Sequence, residues 1–516
     1  MDERKFYVTT AIDYVNGVPH LGHAYEKTGT DALARFHRQR GRDVFFLTGT
    51  DENATRNEQV AREQGISARA LVDRNAAAFK RLCDTWNISY DRFIRTSVDE
   101  DHRRGVQEFV RRWIANGDIY LGTYEGLYCA GCEAFYEEND LVNGECELHP
   151  SLDIQRLSEE NYFFRLSKYQ PALERLYREQ PEFCVPAFRR NEVLGWLARG
   201  LRDISVSRRG LTWGIPFPEH ADHTVYVWFD ALINYVTGVG FGTDEARFAK
   251  WWPADLHVIG KDISRFHCVY WPAMLLAAGV PLPRQVFVHG FLENTSGRLS
   301  KSSGNVVEPI AFAEEYGVDA ARYLLLREAA FERDSPISAE QFNARFNAEL
   351  ANGLGNTLQR TLAMIEKYRG SRVPDDADLG SSGSRVREAA ERALEDHEHA
   401  AEQLRFSEAI GAVVELLSTV DRHYQETKPW SLAKSEDQAH ALDAVLYAGA
   451  EAVRLAAVLL WPYVPGVAAR IAEQLGQPAP GPSTFAEQGR WGVLRPGTRI
   501  TLGAPLFPRL ELARAG

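Results

Sequence analysis

The stretch that most constrains this chain lies near its start: Ala11-Ile12-Asp13-Tyr14-Val15-Asn16-Gly17-Val18-Pro19-His20-Leu21-Gly22-His23. An apolar run, Phe6 to Ile12, enters it, and a helical pattern, Ala24 to Arg40, leaves it. The order strand, tight loop, helix, with Gly17 and Gly22 easing the turn, is the start of an α/β unit. A helix N-terminus offers N–H groups and a partial positive charge, which suits phosphate. His20 and His23, at i and i+3, fall on the same side of the first turn and are placed to donate to a phosphate whose charge grows during a reaction. Two histidines at a helix start are also common as plain polar surface, and the stretch alone leaves both readings open.

A chain of 516 residues exceeds one hydrophobic core, so about three or four domains are expected. No apolar run approaches the roughly 20 residues of a membrane span. The opening Met1-Asp2-Glu3-Arg4-Lys5 runs directly into a strand, so no signal peptide is expected and the reading is cytoplasmic, without membrane. Six cysteines in this length do not make a disulfide scaffold, which fits a reducing compartment. A net charge of −12 argues against polyanion binding driven by bulk charge, but not against a nucleic acid held by local patches. Arg189, Arg190, Arg199, Arg202, Arg208 and Arg209 form one basic segment, compatible with solvated surface and with RNA contact alike.

Strands and helices alternate to about residue 115. Asp43 to Leu47 reads as a second strand ending in Thr48-Gly49-Thr50-Asp51-Glu52. Ligands of open parallel sheets bind at the carboxyl ends of strands, so Asp51 is expected to face the crevice of His20 and His23, although a helix cap is an equal use for it. Cys129-x-x-Cys132, thirteen residues, then Cys146-x-x-His149 supply the four N/S ligands of a closed, structural zinc site. This knuckle sits in an insertion, about 116–215, that interrupts the α/β pattern. The pattern resumes at Val225–Leu232, with strands at Leu256–Ile259 and Val286–His289, and brings Trp228, Ile263 and His267 to sheet edges as core or pocket. Gly297 to Asn305 is a loop of small residues with two cations, Arg298 and Lys301, either solvated surface or a lid for a triphosphate. From about 340 the pattern is helical, with helices near 385–403, 407–424 and 439–475, the last interrupted at Trp461-Pro462. Arg369 to Ser384 reads as a loop, and residues 476–516 as coil folding back on the rest.

His20-Leu21-Gly22-His23 and Arg298-Leu299-Ser300-Lys301-Ser302, about 280 residues apart, resemble the two signatures of class I aminoacyl-tRNA synthetases. AIDYVNGVPHLGHAYE, TGTDE, the knuckle, VWFDALINY, IGKDISRFH, HGFL and the helical tail follow in the order of the bacterial methionyl-tRNA synthetase family. The resemblance covers nearly the whole chain. It implies a doubly wound parallel, Rossmann-like α/β catalytic domain (1–115 and 216–290) split by a zinc-knuckle insertion (116–215). A signature-loop and stem-contact region (291–345) and an α-helical anticodon-binding bundle with C-terminal coil (346–516) follow. It implies that L-methionine is activated with ATP and transferred to tRNA(Met), initiator included, with magnesium on the ATP. His20, His23 and Lys301 would be catalytic, and Gly22, Arg298, Ser300 and Ser302 would complete the ATP site. Asp51 would hold the methionine ammonium. Ala11, Ile12, Tyr14, Trp228, Ala231, Leu232, Tyr235, Ile263 and His267 would line its pocket, with Tyr14 and His267 able to donate weakly to sulfur. Arg208 resembles an arginine placed near the active site. Asn352, Asn356, Arg360 and Trp461 would meet the CAU anticodon.

The second signature carries Arg298-Leu299 where the family usually has Lys and Met, and Asn53-Ala54 stands where His-Gly is common. No dimerisation domain follows the helical region, so a monomer is expected. The alternatives within reach are a class I synthetase for another amino acid and a catalytically impaired tRNA-binding paralogue.

Overall fold

The apolar run near the start forms strand β1 (Lys5–Thr10), with every residue buried, as a central parallel strand covered on both faces requires. In the computed structural model, described residues are 4–510 except 130–133, 137–140, 142–143, 148–152, 295–296, 299–307 and 376–378. Among them β1 lies in a seven-stranded parallel sheet with β2 (Asp13–Tyr14), β3 (Asp43–Asp51), β4 (Arg92–Arg95) and the strands Cys184–Val185, Leu256–Gly260 and Val286–His289. One neighbour of β1 is β3, reached through helix α1 (Leu21–Gln39), and the other is Leu256–Gly260, which arrives from far along the chain. The order therefore reverses at β1, and a crevice opens beyond the carboxyl ends of these three strands, where doubly wound sheets bind ligands. The short β2 extends the same crevice wall, with Tyr14 opposite Asp51.

The insertion contributes a four-stranded antiparallel sheet built around Ile119–Cys129 and Gln155–Phe164. Its strand Cys184–Val185 then rejoins the main sheet beside Val286–His289, so the insertion is anchored into the core rather than hung from one loop. Val225 ends a short antiparallel strand, and the following residues form the helix Val227–Thr237.

Helix α1 is buried along most of its length, including Glu26, Lys27, Asp31 and Arg35. Charges that deep must be paired. Lys27 Nζ lies 2.6 Å from Asp13 Oδ2. Asp31 accepts from Arg35 Nε at 2.8 Å and from Arg322 Nη2 at 2.7 Å. Burial pushes the Asp31 carboxyl up, but the two guanidinium groups outweigh it and hold it at about 2. Fully buried Arg322 also donates to the carbonyls of Trp86, Pro462 and Tyr463, at 2.9, 3.1 and 2.8 Å. The helical part thus docks on α1 through its Trp461–Tyr463 corner. Gln39 Nε2 to Val458 O (2.8 Å) and the bidentate Arg40–Glu398 pair extend that contact.

The helical part comprises Asn356–Arg369, Gly380–Glu402, Phe406–Thr427, Ala439–Leu460 and Pro465–Gln474. The break at Trp461-Pro462 is where the proline pattern places it. The helix expected from 385 instead begins at Gly380 and takes in the Gly/Ser run: the Ala/Glu-rich sequence behind it propagates the helix backward into residues that would not start one. The C-terminal coil folds back, with Val373 N donating to Thr498 O at 2.9 Å and buried Glu451 accepting from the backbone of Gly492, Val493 and Leu494.

Four buried histidines, His257, His267, His397 and His423, make this fold sensitive to acid. Burial pushes His267 and His423 down to about 4, His397 to about 3, and His257 well below its ordinary value. The unfolded chain takes up protons near pH 6.5, whereas the folded chain resists until about pH 4 or lower. Stability is therefore full above about pH 7 and falls as pH drops through 6.5 toward 4, with roughly 1–2 kcal/mol lost per histidine at pH 5. Urea midpoints at pH 7.5 and 5 test this: the lower-pH midpoint falls, and equal midpoints would refute it.

Candidate active site

The first turn of α1 caps itself. His20 is the N-cap in extended backbone, and its Nδ1 accepts from Gly22 N at 3.1 Å. The Nδ1 of His23 accepts from His20 N at 3.0 Å, and the two rings lie 3.8 Å apart. A backbone N–H can only donate, so both Nδ1 atoms are acceptors and the proton of each neutral ring resides on Nε2. The cap thereby fixes the tautomer of both rings, with Nε2 protonated, at a helix N-terminus. His23 Nε2 lies 3.9 Å from Asp13 Oδ1, beside the Asp13–Lys27 pair.

Asp51 ends β3 and is buried. Facing it across the crevice is the helix Val227–Thr237, from which Trp228, Ala231, Leu232 and Tyr235, at i, i+3, i+4 and i+7, share one face. Half-buried Trp228 stacks on Phe266 at 3.7 Å, with Tyr14 6.2 Å away. Ile12 and Ile263 are half-buried, and Ala11 is buried, its N–H donating to Val258 O at 3.2 Å. His267 lies in a π-helical turn, Phe266–Tyr270, of the kind that recurs at functional sites because it redirects one side chain. Its Nδ1–H donates to Ile263 O at 3.0 Å, and Tyr235 Oη–H donates to its Nε2 at 2.7 Å. Burial keeps the ring neutral. The expectation that His267 donates to a sulfur is therefore corrected: its one proton is committed to a backbone carbonyl, and the ring is neutral.

Arg298 lies in a two-residue strand, Gly297–Arg298, paired with Leu292–Asn294. Ser300, Lys301 and Ser302 lie outside the described residues. So do Cys132 and His149, whereas Cys129 and Cys146 are both buried, as thiolate ligands of a structural metal need to be. Among the described residues no three His, Cys, Asp or Glu side chains form a metal cluster, half of the expected ligand set lying outside them. Arg208 is buried with its guanidinium 4.7 Å from the rings of Tyr128 and Tyr226, bridging the insertion to the helix entrance at Val227.

In the helical part Asn352 and Asn356 are exposed and Arg360 half-buried. The segment Phe346–Gly355 is π-helical and becomes α-helical at Asn356, so the i, i+4 spacing crosses a change of pitch. Trp461 does not join them. It is 7% exposed, under Arg35 at 5.6 Å in the corner that docks on α1, and cannot take a stacked base without unpacking that junction. The exposed aromatic is Trp430, at 41%, with the Arg360 guanidinium 5.4 Å from its ring. Sequence reasoning passed over Trp430, although Lys428-Pro429 marks the helix break that projects it, and passed over Phe266, although it adjoins His267.

A doubly wound parallel sheet with a capped helix at its switch point and an appended helical bundle is the architecture of a class I aminoacyl-tRNA synthetase. Residues 6–152 and 137–362 match the family described as tRNA synthetases class I (M). Residues 373–513 match the anticodon binding domain of methionyl tRNA ligase. The methionine–tRNA ligase of Mycobacterium bovis is 44% identical, covering 98% of each chain, and that of Caldanaerobacter subterraneus is 43% identical over 99% of this chain and 80% of its own. The Mycobacterium tuberculosis methionyl-tRNA synthetase in complex with methionyl-adenylate superposes with a TM-score of 0.93 at 44% identity, covering 98% of this chain and 100% of that one. Its apo form superposes with a TM-score of 0.87, covering 99% of each chain. The chain belongs to the methionyl-tRNA synthetase family.

Tyr235→Phe removes the hydroxyl that satisfies His267 Nε2 and leaves a buried acceptor unpaired. A loss of about 1–3 kcal/mol in urea unfolding is expected. A stability equal to that of the parent chain would mean that this hydrogen bond does not hold the pocket wall.

Proposed function

We propose that the chain is an ATP-dependent methionine–tRNA ligase that charges tRNA with the CAU anticodon, initiator tRNA included. The observation that carries this is the convergence of the His20–His23 cap, Asp51 and an aromatic pocket on the carboxyl ends of neighbouring parallel strands. In the first step a carboxylate oxygen of methionine bonds to the α-phosphorus of ATP as the bond to pyrophosphate breaks. Little covalent work falls to the protein, which must position the reactants and stabilise charge at a crowded phosphorus. The Nε2–H groups of His20 and His23 donate to phosphate oxygens, and the amide ends of α1 add a fixed partial positive charge. Gly22 leaves the helix start open to the nucleotide. Lys301, with Arg298, Ser300 and Ser302, approaches the triphosphate from the opposite side, and magnesium arrives with the ATP as part of the substrate.

Asp51 pairs with the methionine ammonium. Ala11, Ile12, Tyr14, Trp228, Ala231, Leu232, Tyr235, Ile263 and His267 enclose the thioether, and Phe266 fixes Trp228. A thioether is long, polarizable and barely polar, so aromatic faces and one neutral imidazole suit it better than charged groups do. In the second step a ribose hydroxyl of the terminal adenosine attacks the acyl carbon, and AMP leaves.

The helical region from 346 onward reads the anticodon through Asn352, Asn356 and Arg360, with Trp430 in place of Trp461 as the platform for an unstacked base. Residues 1–115 and 216–290 form the catalytic domain, 116–215 the insertion and 291–345 the link. Cys129, Cys132, Cys146 and His149 fit one structural zinc by donor chemistry, the two described thiols being buried. The enzyme acts as a cytoplasmic monomer; among the described residues no helix is long and apolar enough to cross a membrane.

Charging of purified tRNA with the CAU anticodon tests the assignment, since failure with methionine and active enzyme would overturn it. Trp430→Ala weakens charging by roughly fivefold to a hundredfold, the value of one stacked base, while methionine activation is spared. Equal loss of both steps would place Trp430 in the fold instead. Lys301→Ala slows single-turnover activation by roughly tenfold or more, about 1.4 kcal/mol, and an unchanged rate would remove the loop from the chemistry. Elemental analysis of protein prepared without chelator is expected to return about one zinc per chain, and none would refute the knuckle.

A further inference from the structure

Two residues beyond Asp51, the side chain of Asn53 points away from the crevice and is buried. Its Nδ2 donates to Asp230 Oδ2 at 2.7 Å and to Thr96 O at 3.3 Å. Asp230 is fully buried in the first turn of the helix Val227–Thr237, and its other oxygen accepts from His102 Nε2 at 2.8 Å. The Nδ1 of the same ring meets Thr237 Oγ1, at the last turn of that helix, at 2.8 Å. Gly105, one turn along from His102, permits this approach, because a Cβ there would overlap the Thr237 side chain. Asp230 and Thr237 share the back of the helix, opposite the face that carries Trp228, Ala231, Leu232 and Tyr235.

The turn after Asp51 is also held from its other side. Glu52 N donates to Thr96 Oγ1 at 2.9 Å, and Glu52 O accepts from Asn57 Nδ2 at 2.9 Å and Trp213 Nε1 at 2.7 Å. With the turn fixed in this way, the Asn53–Asp230 bond ties the strand end bearing Asp51 to the helix bearing the aromatic pocket. A buried carboxylate with two good donors is a rigid joint, and loss of either donor leaves an acceptor unsatisfied in a dry site.

We propose that Asn53 is a positioning residue for specificity: through Asp230 it sets the distance between the ammonium-binding carboxylate and the side-chain pocket, and so the length of amino acid accepted. The inference rests on the methionine-activating function proposed above. Asn53 touches neither reactant, and the helix it holds meets methionine but not the triphosphate. The effect is therefore confined to the amino acid.

The test is amino-acid-dependent ATP–pyrophosphate exchange by the full chain, with thermal unfolding of each variant alongside. Asn53→Ala raises the KM for methionine by roughly tenfold, leaves the KM for ATP within about twofold, and narrows the kcat/KM preference for methionine over ethionine, one methylene longer, by roughly threefold or more. Asn53→His, which keeps an N–H donor, restores the methionine KM to within about threefold of the parent. The isosteric Asn53→Asp, which sets a second carboxylate against Asp230, does not. A folded Asn53→Ala with unchanged methionine KM, an equal rise in both KM values, or an Asn53→His no better than Asn53→Asp overturns the proposal. If Asn53→Ala does not fold, the His and Asp variants decide by the same comparison. If the parent chain itself shows no exchange with methionine, the functional reading falls and this inference falls with it; exchange in the parent with unaltered variants removes this inference alone.

Discussion

The reciprocal cap between His20 and His23 ties the local structure of this molecule to its chemistry. A helix that begins in a buried crevice must satisfy its first N–H groups, and here two imidazoles do so with Nδ1. Serine or aspartate would cap as well, but would offer no N–H donor toward a ligand. Imidazole has two nitrogens, so satisfying the helix with one fixes the tautomer that presents the other as a donor. The same helix carries Lys27, which holds Asp13 on the crevice wall, and Asp31, which holds Arg322 and through it the Pro462 and Tyr463 carbonyls. One buried rod thus supports the histidine-capped wall of the crevice at one end and the helical part at the other.

The wall around Asp51 and the helix Val227–Thr237 follows a different logic. Its polar groups are few and spent on one another: Tyr235 on His267, His267 on Ile263, Asn53 and His102 on Asp230. Beside them stand the aromatic and aliphatic side chains Tyr14, Trp228, Phe266 and Ile263 and the buried carboxylate of Asp51. Such a pocket selects by shape and polarizability rather than by matching hydrogen bonds, which limits discrimination between neighbours differing by one methylene and makes rigid spacing valuable.

Much of this was legible in the sequence because its signals are local. The apolar run that became β1 and the glycines and histidines at the entrance of α1 depend on neighbours within one or two turns, whereas Trp228, expected at a sheet edge, stands instead on the helix Val227–Thr237. Asp51 was placed correctly at the end of a strand, although the strand runs four residues beyond its expected end at Leu47. What escaped depends on contacts distant in sequence. Trp461 and Trp430 are the same residue type in the same helical region, each beside a proline, yet Arg35, more than four hundred residues away, covers one and not the other. Periodicity could not tell them apart. Likewise nothing near His267 announces that its proton is committed to Ile263, because the π-turn that allows it is set by packing.

The most direct test of the central claim, that this crevice activates methionine, is ATP–pyrophosphate exchange measured with each of the standard amino acids in turn. Exchange that depends on methionine above all others is expected. Faster exchange with a different amino acid would assign the pocket to another substrate, and no exchange with any would contradict the claim outright.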